Sequence, residues 1–243
     1  MQRQHIRVVC IRSLLRPGEG EVRMYACNAP RPGSSEPALW SRDAESLADV
    51  AAIGDELATR ATPGAGWAPV DQQLILICAN GRHDQCCANR GRPVIRALRE
   101  SAWADRMWEC SHIGGDRFAA NLVLLPHSLY FGRVEPDTAA DLVARLDGGR
   151  IDLDHFRGRT SYSLAEQAVE HFVRHEFGIE TFEGVVVEPG GGRHGAFLVR
   201  LTDRAVDVRI RRHFITVAEP LTCKGTPDQL VPVFELDSIS AAG

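Results

Sequence analysis

Residues 74–116 read LILICANGRHDQCCANRGRPVIRALRESAWADRMWECSHIGGD. The run opens on LILIC (74–78), apolar at every position, as a parallel strand covered on both faces should be. A polar loop follows, ANGRHDQCCANRGR. Pro93 then suits the first turn of a helix, which VIRALRESA continues. RMWECSH (106–112) reads as a second strand. Two parallel strands joined by a right-handed crossover end at the same edge of their sheet, and ligands of such sheets sit beyond the carboxyl ends of the strands. Cys78 closes the first strand and leads to Cys86 and Cys87. Cys110 and His112 close the second, before Gly114, Gly115 and Asp116. Sulfur and imidazole from distant segments are thereby expected at one rim.

Downstream, AANLVLLP and SLYFGRV read as two strands joined by a tight Pro-His-Ser turn, and TAADLVARL (138–146) as a helix. Strand, helix, strand, strand, strand, helix is the order of a thioredoxin-like core. The predicted class is α/β locally and α+β overall, with the first domain spanning residues 1–150 (core 71–147) and a small α+β segment over residues 151–243. Upstream, residues 5–10 and 22–27 read as strands, 28–42 as a loop, and 43–60 as a helix capped by Asp43 or Ser46; 62–70 reads as a linker. In the second unit, 148–159 reads as a polar connector. SLAEQAVEHFVRHEFG (163–178) reads as an amphipathic helix striped by Leu164, Ala168, Phe172 and Val173 and stopped by Gly178. Strands are predicted over 183–188, 195–201, 205–214 and 229–236, with the Gly190–Gly192 run as a hairpin turn.

Composition narrows the function classes. The chain has 243 residues, 44% hydrophobic and 25% charged, with net charge -4. That length buries a core without staples, and that balance gives no reason to expect a nucleic-acid binder. The N-terminus does not read as a secretory leader, because Arg7 and Arg12 interrupt its apolar run. No stretch approaches a membrane span, so a cytoplasmic protein is expected. Seven cysteines, an odd number, argue against a disulfide framework and for thiol, metal or cluster chemistry.

Soft thiolates with imidazole suit iron–sulfur clusters, zinc or copper. The glycine pair allows backbone angles closed to other residues, so the turn after His112 can wrap a cofactor. Arg82, Arg90, Arg92 and Arg117 flank the same edge, where they favour thiolates and an anionic group or acidic partner. Beside these stand blander readings: Cys78 and Cys110 as small core residues, His112 as a turn cap, Asp116 as an Asx-type turn or a salt bridge to an arginine. His171 and His175 share a helix face but lack the H-E-x-x-H pattern, so a solvated face is expected. The arginines of RIRRHF (209–214) read as protection of an edge strand.

CANGRHDQCCANRGRPV, WECSHIGGDRFAANLVLLP and LYFGRV together resemble the sucrase/ferredoxin-like family, which is related to the thioredoxin-like 2Fe-2S ferredoxins. The resemblance covers residues 74–134 closely. It implies a 2Fe-2S cluster bound by Cys78, Cys87 and His112. The family's H-x-G-G-H motif is H-I-G-G-D here, so Asp116 stands where the fourth ligand falls, with Cys86 and Cys110 as substitutes and Arg82, Gly114, Gly115 and Arg117 around them. The implied function is electron transfer to a redox partner protein. The name's sucrase half finds no support, since no carboxylate pair is placed for glycoside cleavage. Histidine ligation implies a reduction potential above that of four-cysteine ferredoxins. Two alternatives stay open: a zinc-bearing or cofactor-free interaction module, and a thiol oxidoreductase, for which no C-x-x-C motif exists.

Overall fold

A computed structural model describes residues 7–15, 22–35, 38–59, 63–82, 85–189 and 195–242. Its centre is a six-stranded sheet in the order β1-β6-β5-β7-β8-β9. The strands are β1 (Ile11–Ser13), β5 (Leu74–Cys78), β6 (Met107–Cys110), β7 (Leu122–Leu125), β8 (Leu129–Phe131) and β9 (Phe156–Arg159). β5 and β6 run parallel, with Cys78 in register with Cys110; the other pairings are antiparallel. The crossover from β5 to β6 carries α2 (Gln85–Leu98), and α3 (Ala139–Asp147) follows β8. A parallel β-α-β unit whose first strand then pairs with an antiparallel hairpin closed by a helix is the thioredoxin-like core that the sequence predicts.

Strand alternation divides the sheet's two faces. Ile75, Ile77, Met107, Leu122 and Leu124 pack under Val94, Ile95 and Leu98 of α2 and Leu142, Val143 and Leu146 of α3. Leu74, Leu76, Cys78, Cys110 and Val123 face the other way. That second face is covered by a three-stranded sheet of β2 (Val22–Asn28), β3 (Ala38–Ala44) and β4 (Ala68–Pro69), through Tyr25, Leu39 and Val70. LILIC is therefore buried on both sides. α1 (Leu47–Thr59) follows β3, and its cap is Ser46, whose Oγ accepts from the Asp49 N–H at 3.2 Å. Asp43 instead pairs with Arg23 across β2 and β3.

The second unit packs α4 (Leu164–Phe177) against a four-stranded antiparallel sheet, β10 (Val185–Val187), β11 (Ala196–Leu201), β12 (Ala205–Val217) and β13 (Gln229–Ala241). α4 opens with a capping box between Ser163 and Glu166 and closes on Gly178 at φ 61. Among the described residues no helix is long and apolar enough to cross a membrane.

Several elements differ from the sequence reading. α2 begins at Gln85, not Pro93, so Cys86 and Cys87 ride its first turns and Pro93 lies inside it; this polar stretch carries no apolar periodicity to announce a helix. Of the strand expected at 5–10, residues 5 and 6 lie outside the described residues and 7–10 are not strand; β1 lies at Ile11–Ser13, where Ile11 pairs with Cys110. β3 and β4 occupy part of the expected loop and linker. The sheet also draws β9 from the expected polar connector, outside 71–147 and past residue 150. Leu164 is 63% exposed; Val169 takes its place in the α4 stripe. Beyond Arg209, β12 pairs with β13 alone among the described residues, so most of RIRRHF does border an open edge. The Gly190–Gly192 run lies outside the described residues.

Candidate metal centre

Three donors meet at the carboxyl rim of the sheet. The Cys78 and Cys87 sulfurs and a His112 ring nitrogen all lie within 4.8 Å of one another. Each is delivered by a different local rule. Cys78 ends β5 on the face opposite α2's packing. α2 then presses its backbone onto that strand end through Gly91, where a Cβ would lie 2.1 Å from the Cys78 carbonyl oxygen. This close approach seats Cys87, buried, on the helix's opening turns. His112 follows β6, and the chain turns back through Gly114 (φ 89) and Gly115 (φ 76), left-handed angles that glycine adopts freely. The turn brings Asp116 round to the same rim.

Asp116 touches two of the three donors with one oxygen: its Oδ1 lies 3.1 Å from Cys87 Sγ and 3.0 Å from His112 Nδ1. Cys110 sits against Cys78, in register on the neighbouring strand. The sulfurs do not titrate alike. S–H bonds from Cys110, then Cys87, hold Cys78 as a thiolate, well below the usual thiol range. The Cys78 anion, burial and Asp116 hold Cys87 protonated; the anion and burial do the same for Cys110. The rim thus stores one thiolate that shares its neighbours' protons, and a soft cation able to displace those protons is the species such a set prefers.

Beyond the donors, Asn121 is fully buried. Its Nδ2 donates to the Gly115 carbonyl at 2.9 Å and its Oδ1 accepts from Arg157 Nη1 at 2.7 Å. The Arg157 guanidinium lies over the Phe118 ring, and burial followed by Arg117 lowers its pKa to about 10. Arg7 Nη2 donates to the His112 carbonyl at 3.2 Å. The sequence reading missed Arg7, Asn121 and Arg157. Arg157 carried no local signal, because only the pairing of β9 with β8 brings it here.

The remaining sequence candidates fall elsewhere on the rim. Cys86 receives the backbone N–H of Cys223 at 3.1 Å. The Arg82 carbonyl accepts from Lys224 Nζ at 3.1 Å. Arg117 is exposed and lies over Phe118, and Arg90 pairs with Glu135. His171 and His175 lie side by side on α4, their tilted rings 4.2 Å apart between centroids. Among the described residues, Cys78, Cys87 and His112 form the group of three compact enough to hold a metal ion.

Comparison with known proteins gives one family. The profile described as Sucrase/ferredoxin-like matches residues 11–158, well over half of the chain. No curated protein matches it. Among solved structures, a cysteine-to-serine variant of the thioredoxin-like 2Fe-2S ferredoxin from Aquifex aeolicus is similar at 18% identity, covering 36% of this chain and 100% of that one with a TM-score of 0.33. A second structure of a thioredoxin-like 2Fe-2S ferredoxin from the same organism is also 18% identical, covering 37% and 94%, again with a TM-score of 0.33.

Proposed function

The chain belongs to the sucrase/ferredoxin-like family, and on that premise we propose that it is an electron-transfer protein whose 2Fe-2S cluster is held by Cys78, Cys87 and His112, with Asp116 at the fourth position. The observation that carries this reading is the convergence of two thiols and an imidazole within 4.8 Å at the strand ends. Such donors fit the group, since thiolates and imidazole are the ligands that iron–sulfur centres take. When bound, the cluster supplies one-electron exchange, and the protein sets its potential and access. The chain's own residues have definable parts. Asp116 Oδ1 stands 3.0 Å from His112 Nδ1 and 3.1 Å from Cys87 Sγ, within reach of both neighbouring donors. Leu39, Ile113 and Val123 wall the site on the buried side and exclude water there.

The test is iron and acid-labile sulfide, with a visible spectrum, on anaerobically purified protein. The expected result is equal iron and sulfide in the wild type and in Cys10→Ser, and loss of both in Cys87→Ser and His112→Ala. Asp116→Ala removes the group at the fourth position and is expected to bind the centre more weakly than the wild type. A colourless wild type without iron refutes the carrier reading.

One observation favours a second reading. Donors sharing a single tetrahedral ion at bond lengths of about 2.0–2.3 Å lie close together, and the mutual 4.8 Å limit here suits one zinc ion as well as a larger centre. Stoichiometric zinc without sulfide selects that reading. For the carrier, the partner proposed is an acidic protein, because Arg82, Arg92 and Arg117 stand exposed around the rim. Electron-transfer rates with it are expected to fall as salt rises.

A further inference from the structure

β12 and β13 form an arm, 13 residues in each strand. Pairing with β11 covers only the start of β12. The arm's tip, residues 218–228, returns to the first unit and lands beside α2. There the Cys223 N–H donates to Cys86 Sγ at 3.1 Å, and Lys224 Nζ donates to the Arg82 carbonyl at 3.1 Å. Two separate contacts thus seat the tip on the segment that leads into Cys87. Cys223 is exposed and Cys86 half-buried, so a small oxidant reaches both.

We propose that Cys86 and Cys223 are a redox-sensitive latch, forming a reversible disulfide that staples the tip of the β12–β13 arm to the rim of the metal centre. The covalent geometry permits it. With an N–Cα bond of about 1.5 Å, a Cys223 nitrogen 3.1 Å from Cys86 Sγ puts the two Cα atoms no more than about 7 Å apart, within the span that a disulfide bridges. Cys87, the other candidate in sequence, is buried, faces Cys78 and Asp116, and belongs to the donor set. The oxidant is a low-molecular-weight disulfide. The Cys223 thiolate attacks one of its sulfurs and expels the first thiolate. The Cys86 thiolate then attacks the Cys223 sulfur, closes the protein disulfide and expels the second. The two protons lost by the cysteines end on the two small thiols, so one disulfide is reduced for each latch formed. The arm tip is then fixed beside α2, whichever metal the donors hold.

The test treats the full-length protein, as purified with its metal, with oxidised glutathione and maps tryptic peptides without reduction. Peptide 83–90 carries Cys86 and Cys87, and peptide 213–224 carries Cys223. The expected product joins these two, with fragmentation assigning the bond to Cys86. It disappears with dithiothreitol and is absent from Cys223→Ser, whose metal content equals that of the wild type. A bond from Cys223 to Cys87, a vicinal Cys86–Cys87 bond, a link between chains, or glutathione adducts alone overturns the proposal. Iron-free protein that still forms the link leaves the latch standing while the carrier reading fails; iron-loaded protein without the link does the reverse.

Discussion

Gly91 is the residue on which the geometry of the centre turns. Any side chain there meets the backbone of Cys78, with a carbonyl oxygen at 2.1 Å and a carbonyl carbon at 3.1 Å. Neither can swing aside as the end of a flexible side chain can, so α2 itself must retreat and carry Cys87 with it. Gly91→Ala is expected to cost about 1–3 kcal/mol, the range for overpacking a close-fitting core, and to lower the metal content of the purified protein. Urea denaturation measures the first and elemental analysis the second; stability within about 0.5 kcal/mol of wild type contradicts the account. Gly54, in α1, is the control. A Cβ there meets nothing within 4 Å, so Gly54→Ala should gain about 0.5–1 kcal/mol from helix propensity alone.

At the scale of elements, α4 shows what a sequence makes legible. Ser163 followed three residues later by Glu166, an apolar stripe and a closing Gly178 are local signals, and each end lies where it was read. LILIC was equally plain, because double burial removes the need for polar alternation. β9 was not. Its Phe-Arg-Gly-Arg sequence looks like a connector until partners arrive: Arg159 is buried where Glu170 of α4 reaches it, and Arg157 is half-buried where Asn121 and Phe118 hold it. The same holds at the rim. The convergence of Cys78, Cys87 and His112 was readable from strand ends and motif spacing. Arg7 and Cys223 were not, since contacts across more than a hundred residues of chain leave no local trace. α4 also carries a prediction. Partial desolvation of its ring, then His175, depresses the pKa of His171 below its ordinary 6.5. The fold therefore prefers the neutral ring, and the unfolded chain takes up the proton first. Stability should be unaffected by this residue above pH 6.5, fall as pH drops below that value, and level off once the folded form is also protonated. His171→Asn should flatten that part of the acid limb in thermal melts recorded between about pH 8 and about pH 5; an unchanged slope contradicts the assignment.

In the whole molecule the two units meet across a seam of buried charge. Arg159 of β9 and Arg174 of α4 both contact Glu170, at 3.0 and 2.9 Å, with the two arginines 3% and 0% exposed. Arg174 also donates to the carbonyls of Ile179, Thr181 and Phe182. A second tie runs from Arg31 to Glu166 at 2.7 Å and to the carbonyls of Ser161 and Val187. One carboxylate thus answers two buried cations. Removing its charge while keeping its shape, as in Glu170→Gln, leaves both arginines without the carboxylate that contacts them and should cost about 3–5 kcal/mol, the usual result of breaking a buried pair from one side. The loss belongs to the seam, so it should also uncouple the two units. All four tryptophans, Trp40, Trp67, Trp103 and Trp108, precede the seam, so their fluorescence follows the first unit while far-ultraviolet circular dichroism follows both. In the wild type the two signals should unfold together in urea. In Glu170→Gln the dichroism should begin to fall at lower urea than the fluorescence, because α4 and its sheet lose their anchorage first. Coincident transitions in the variant would place the cooperativity of the molecule elsewhere than in this triad.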